Sequence, residues 1–174
     1  MENTEQRLQR LEDIESIRYL KHYHFCHCVD EGIAGDQQAA EKIAGRLTDD
    51  AVLDFTGMPL FEGKQAVLEF LTGVVPDVIS WSQHRVVNEV IDVDGDRARG
   101  VWYVDCPVVY RAGKLPGLEG NCLVVGRYEE EYRRVSGVWK FSRIVALVDV
   151  QSAFDVNWRE ANWRRSNRDG DTLL

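Results

Sequence analysis

Two residues of this chain have the types needed for proton-transfer chemistry. They are Asp30, in the stretch KHYHFCHCVDEG (residues 21–32), and His84, in SQHRVV. A carboxylate that accepts a hydrogen bond from an imidazole fixes one tautomer of the ring and stabilises the imidazolium after proton uptake. A histidine held in this way acts as a general base near neutral pH, an effect worth about 10²–10⁴ in rate. Taken singly, each residue has a plainer reading: Asp30 caps a neighbouring backbone turn, and His84 is a satisfied polar side chain at a sheet surface. The pair becomes chemistry only if both side chains reach one cavity.

The stretch around Asp30 also raises the question of a metal. Three of the four histidines and two of the four cysteines fall between His22 and Cys28. A zinc site needs three or four ligands converging on one point. On a helix, His22 and His24 point about 200° apart, and Cys26 and Cys28 diverge in the same way. The best local set that shares a face is His24, His27 and Cys28. No second ligand cluster exists, and the only other histidine is His84. No metal and no other cofactor is expected.

The elements that would position the dyad follow from the periodicity. Leu8, Leu11, Ile14, Ile17 and Leu20 recur every three residues, which predicts one long helix over 4–30. Its stripe continues through Tyr23, His27 and Asp30, which places that face inward and leaves Lys21 and His22 toward solvent. Gly32 and Gly35 end the helix. Shorter helices are expected at 36–47 and 64–74, with AVLDF at 51–55 as a strand. From Ser80 the pattern changes to long alternating strands with turns at Asp94-Gly95, Gly113–Gly120 and Ser136-Gly137. A last helix near 154–166 and a polar tail from about 166 complete the chain. Helices followed by a meander of long antiparallel strands is the α+β pattern. A curved, mainly antiparallel sheet wrapped around the first helix makes a cone-shaped α+β barrel whose mouth can hold a small molecule.

The 174 residues suit one domain with one core, and no internal repeat or linker divides them. A net charge of −8 gives no electrostatic footprint for nucleic acid or an anionic membrane. No apolar run is long enough to span a bilayer, and the polar N-terminus has no signal-peptide core. The four cysteines read as free thiols of a cytoplasmic protein. The run EEEY (129–132) reads as a solvated face, and NWREANWRR (157–165) as an oligomer contact or a flap over the mouth.

Strand alternation proposes the lining. Trp102, Val104, Cys106 and Val108 share one face, and Tyr103, Asp105 and Val109 share the other. A one-residue slip exchanges the faces, so which of Asp105 and Cys106 points inward stays open. With Phe25, His27, Phe55, Trp102, Tyr103, Cys106, Tyr128 and Val148 as candidates, the substrate site is apolar and aromatic. That suits a hydrophobic aromatic or polycyclic substrate better than a charged metabolite.

Four stretches in order, RLEDIESIRYLKHYHFCHCVD, LTDDAVLDF, SQHRVVNEVIDVDGDRARGVWYVD and GRYEEEYRRVSGVWKFSRI, resemble the SnoaL-like branch of the nuclear transport factor 2-like superfamily. The resemblance implies a cone of N-terminal helices packed in a curved sheet. It also implies that Asp30 matches the helix Asp, and His84 the strand His, shared by dehydratases and dehydrochlorinases of this fold. Phe25 stands where one family dehydratase has a tyrosine, which makes Tyr23 the nearest candidate for that role. A basic residue and a second histidine of such relatives fall near Val148 and Val108. The implied activity is a cofactor-independent lyase that abstracts a proton and eliminates water or another small fragment such as formaldehyde. An isomerase or polyketide cyclase with the same dyad, and a non-catalytic binding module, remain alternatives. The resemblance further implies a homotrimer or homodimer.

Overall fold

A computed structural model describes residues 3–154 and the short strand pair Arg165–Ser166 with Thr172–Leu173. The helix expected near 154–166 and the polar tail from about 166 lie almost wholly outside the described residues. Within 154–166 the described part is a turn at Phe154 and the strand at Arg165–Ser166.

The first helix is one continuous rod in three sections: α1 (Thr4–Tyr19), a π-helical section (Leu20–His27) and α2 (Cys28–Ile33). Asn3 caps its start, accepting from the Gln6 backbone while the Gln6 side chain accepts from its own. The expected stripe holds only from Ile17 onward. Leu8 and Leu11 are exposed, and the buried residue of the first turns is Asp13. Asp13 accepts from Arg134 (2.7 Å), Trp139 (3.1 Å) and Gln9 (3.2 Å), so a polar anchor fixes the rod's start to the sheet.

The π-helical section explains a second difference. Its i→i+5 bonding turns each residue through a smaller angle than an α-helix does, and so rotates the faces that follow. Lys21, Phe25, Cys26, Cys28 and Val29 are buried, whereas Tyr23 is only half-buried and His22 and His27 are exposed. The expectation is therefore reversed for Lys21, which is buried, and for His27, which is exposed, while Tyr23 stays partly buried against the core. Asp30 keeps its inward position.

Three helical pieces follow: α3 (Ala39–Ala44), α4 (Lys64–Glu69) and, after a second π-helical turn (Phe70–Val74), α5 (Val75–Val78). The strands are β1 (Leu47–Phe55), β2 (Phe61–Glu62), β3 (Ile79–Ser82), β4 (Arg85–Asp94), β5 (Arg97–Leu115), β6 (Leu118–Val135) and β7 (Val138–Ala153). They form one sheet in the order β2-β1-β7-β6-β5-β3, with β4 also paired to β5. Only β1 against β7 is parallel. The architecture is α+β, with helices in the hollow of a large curved sheet that does not close.

Bulges supply the bend. The β6–β7 register shifts between Val125 and Gly126 and again between Glu131 and Tyr132. Gly126 sits at the first shift, where a Cβ would run into the Leu147 carbonyl oxygen. Only glycine allows the two backbones to approach there. Alternation along β5 is strict: Ala98, Trp102, Val104, Cys106, Val108 and Tyr110 are buried, and their odd-numbered neighbours are not. That settles the register: Cys106 points inward, and Asp105 points out to Arg85.

Candidate functional site

The chain breaks between β3 and β4, and His84 sits in the break rather than inside a strand. Ser82 pairs with Val108 and Arg85 with Asp105, so His84 lies opposite Cys106. Within the break the Gln83 amide still donates to the Pro107 carbonyl of β5 (3.1 Å), and the helix takes up the His84 amide. Asp30 accepts from the His84 amide (2.8 Å), from the Ser82 hydroxyl (2.5 Å) and from the His84 ring at Nδ1 (2.6 Å). One carboxylate thereby closes the backbone turn and grips the imidazole. The capping and catalytic readings of Asp30 are the same set of bonds.

These contacts set the charges. Burial alone would raise the Asp30 carboxyl, but the bonds from His84 and Ser82 outweigh it and hold the group below its usual range. Burial alone would lower His84, yet the Asp30 bond and a side-chain bond with Cys106 push it up to about 9. The dyad of the free protein is an imidazolium–carboxylate pair at neutral pH. Asp30 occupies Nδ1, so Nε2 is the nitrogen left for the Cys106 side and the cavity that both residues line.

That cavity has a volume of about 280 Å³. Its walls are the concave faces of β5, β6 and β7, Phe25 and Val29 from the helix, and the segment Phe70–Ile79. Phe25, Phe55, Cys106, Tyr128 and Val148 line it together with His84. Five candidate residues do not: Asp30, which stands behind His84 and holds it, and four others. Trp102 is fully buried beneath the cavity, donating to the Tyr132 hydroxyl at 2.9 Å. Tyr103 is 54% exposed on the outer face, as alternation with Trp102 requires. Tyr23 stacks on Tyr19 at 5.3 Å and His27 is exposed, both turned away by the π-helical section.

The sequence missed four polar residues of the lining: Thr56, Tyr110, Arg127 and Gln151. Gln151 donates to the Tyr110 hydroxyl at 2.5 Å, and both face the cavity. Tyr110 simply continues the Trp102–Val108 alternation by one step, so extending that pattern would have found it. Gln151 carries no such signal. Among the described residues no group of three His, Cys, Asp or Glu side chains converges as a metal site. Nor is any helix there long and apolar enough to cross a membrane.

A second ionic pair lies behind the cavity wall. Lys21 Nζ meets Glu130 Oε1 at 2.6 Å with both side chains fully buried, and Tyr132 donates to the other Glu130 oxygen. The middle glutamate of EEEY is thus sealed in the core, contrary to the solvated face expected of it. The Lys21 ammonium also lies 4.0 Å from the centroid of the Phe25 ring and 3.4 Å from that of Tyr128. Those two rings separate it from the cavity.

Comparison with known proteins places this geometry. Hexachlorocyclohexane dehydrochlorinase 1 of Sphingobium indicum is 28% identical over 118 residues, 66% of this chain and 72% of that protein. The crystal structure of a hexachlorocyclohexane dehydrochlorinase from Novosphingobium barchaimii superposes with a TM-score of 0.70 at 23% identity, covering 87% of this chain and 97% of that one. A scytalone-dehydratase-type protein of Novosphingobium aromaticivorans superposes with a TM-score of 0.69 at 18% identity, covering 85% and 91%. The SnoaL-like domain profile matches residues 9–145, a span holding Asp30, His84 and the facing strands as far as the first half of β7; the chain belongs to the SnoaL-like family, within the nuclear transport factor 2-like superfamily.

Proposed function

We propose that this protein is a cofactor-independent lyase that removes a proton from a hydrophobic aromatic or polycyclic molecule and expels a small group by β-elimination. The observation that carries the reading is the Asp30–His84 bond at 2.6 Å, on the wall of an otherwise apolar cavity. The dehydrochlorinase and dehydratase names of its relatives support the same class of reaction.

The steps follow from the geometry. Asp30 fixes Nδ1 as the protonated nitrogen, so neutral His84 presents the Nε2 lone pair to the cavity. With a pKa of about 9, only about one molecule in a hundred holds that neutral form at pH 7. An apolar substrate that expels water from the cavity disfavours the charged form, and so helps release the proton before catalysis. For loss of water or hydrogen halide, Nε2 then takes a C–H proton, the C–H pair forms the double bond, and the leaving group departs with its bonding pair. For loss of formaldehyde, Nε2 takes instead the O–H proton of a hydroxymethyl group: the O–H pair becomes the C=O bond, the C–C pair becomes the double bond, and the leaving group again departs with its own pair. Asp30 stabilises the imidazolium that results. Thr56, Tyr110, Arg127, Tyr128 and Gln151 add polar residues to a wall that is mostly Val, Leu, Ile and Phe, which orients a mostly apolar guest.

The test is turnover of a panel of aromatic and polycyclic β-hydroxy and β-halo compounds, followed by mass spectrometry for loss of water, formaldehyde or hydrogen halide. His84→Ala and Asp30→Asn are each expected to lower the rate at least about a hundredfold with the fold intact. Near-normal rates in either variant remove the dyad from the mechanism. A product of unchanged mass would assign isomerisation or cyclisation in place of elimination.

A further inference from the structure

We propose that the Tyr128 hydroxyl is the hydrogen-bond donor that receives the departing group, completing on β6 the work His84 begins beside β5. This rests on the lyase reading above and extends it to the leaving group, which must then be a strong hydrogen-bond acceptor, an oxyanion or a halide.

Three tyrosines lie along the inner face, and two are committed. The Tyr132 hydroxyl accepts from Trp102 and donates to Glu130. The Tyr110 hydroxyl accepts from Gln151. Tyr128 is only 6% exposed and lines the cavity, yet its hydroxyl makes no hydrogen bond to any described residue. The hydroxyl is not one of the sealed, unsatisfied atoms of the core, so it opens on the cavity with its proton free to be donated to a guest. The Tyr128 ring lies 5.5 Å from Phe25, edge to face, and the His84 ring lies 6.3 Å from the same Phe25 in the same style. The phenol and the imidazole are thus neighbours around a single side chain, facing a shared hollow.

The setting also suits donation. The Lys21 ammonium lies over the Tyr128 ring at 3.4 Å and draws on its π electrons, which strengthens the O–H as a donor. Burial pushes the phenol well above its usual pKa, so the proton stays on oxygen. The group therefore stabilises a leaving anion by hydrogen bonding, as an oxyanion-hole donor does, rather than by surrendering its proton. The balance is simple. The C–H proton moves to His84 Nε2, the C–H pair becomes the double bond, and the pair of the broken bond goes to the leaving atom under the Tyr128 O–H. The proton on His84 then passes to that atom as the products leave, and both residues return to their starting states.

The test titrates the full chain with 4-nitrophenolate, a leaving-group mimic, and with nitrobenzene, its uncharged counterpart. Both are titrated first in the His84→Ala background, so that no imidazolium attracts the anion and the outcome does not depend on whether the protein is a lyase. Adding Tyr128→Phe is expected to weaken 4-nitrophenolate at least about tenfold, the worth of one hydrogen bond to a charged acceptor. Nitrobenzene should bind within about twofold in both proteins, since the ring shape is kept. Equal losses for the two probes, or no loss for either, would overturn the assignment. With His84 restored, Tyr128→Phe should slow elimination of unsubstituted benzisoxazole, a poor leaving group, about a hundredfold. The 5-nitro analogue, a better leaving group, should slow far less; a uniform loss would overturn the proposal. The variant's melting temperature should stay level, because the ring is kept and the hydroxyl has no protein hydrogen bond to lose.

Discussion

The first helix carries two acid–base pairs nine positions apart in the chain, Asp30 with His84 and Lys21 with Glu130, and they do opposite work. Both are short, at 2.6 Å. The Lys21–Glu130 pair is fully sealed, satisfied by Tyr132 and two aromatic faces, and has no route to solvent or cavity. The dyad side chains retain 13% and 21% exposure and line or border the cavity. The sealed pair can hold charge in place but cannot exchange it with a guest. Access, rather than the strength of the pairing, separates machinery from framework.

Breaking the sealed pair should have the largest effect on stability. Lys21→Met leaves Glu130 as an uncompensated buried charge, a loss of about 3–5 kcal/mol. For a domain of this size that lowers the melting temperature by roughly 10 °C. The double variant Lys21→Met/Glu130→Gln should recover most of it, because the pair's own attraction is largely offset by the cost of burying it. Thermal melts of the two variants decide this. A single variant as stable as the parent would show that water reaches Glu130, and the contrast with the dyad would collapse.

The sequence displayed the dyad and concealed the sealed pair, for physical reasons. Asp30 and His84 are conspicuous residue types in otherwise apolar settings, and strand alternation placed Cys106 and Tyr128 correctly once the register was known. The long strands, their turns and the α+β class were also legible, because period-2 alternation holds over nearly all of β5. Lys21 was misplaced because a 3.6-residue period was carried through a section whose hydrogen bonds run i→i+5. Glu130 was misplaced because acidic runs are usually solvated, and its buried partner was 109 residues away. His84 was expected inside a strand. The break that frees it is held open by Asp30 itself, a contact between distant segments that no local pattern records.

The dyad's access makes it sensitive to pH. His84 is raised from 6.5 to about 9 by Asp30 and Cys106, against the burial that would lower it. In the proposed mechanism the neutral ring is the base, so kcat/KM should rise about tenfold per pH unit from neutrality and level off near 9. Stability should run the other way. A raised folded-state pKa adds stability that is complete below 6.5 and is lost as pH climbs through about 9. Asp30, lowered, adds stability that is present above its ordinary 3.8 and lost in acid. Rate profiles and melts over pH 6 to 10 should therefore show opposite slopes. Asp30→Asn should flatten both, and parallel slopes would mean that another group controls the rate.

The smallest effect sharpens the boundary of the site. Tyr23 and His27 belong to the same crowded stretch as Asp30, and by residue type they are as fit for proton transfer as His84. The π-helical section keeps both out of the cavity lining; Tyr23 packs on Tyr19 and the edge of the core and lies 6.4 Å from His27. If access decides function, Tyr23→Phe and His27→Gln should each leave elimination within about twofold and stability within about 0.5 kcal/mol, as for ordinary surface substitutions. Initial rates on whichever compound the screen identifies, beside the His84→Ala control, measure this directly. A tenfold loss in Tyr23→Phe would mean that the helix rotates when substrate binds. The cavity would then have a different wall in the working state, and the division between sealed and open pairs would have to be redrawn from that state.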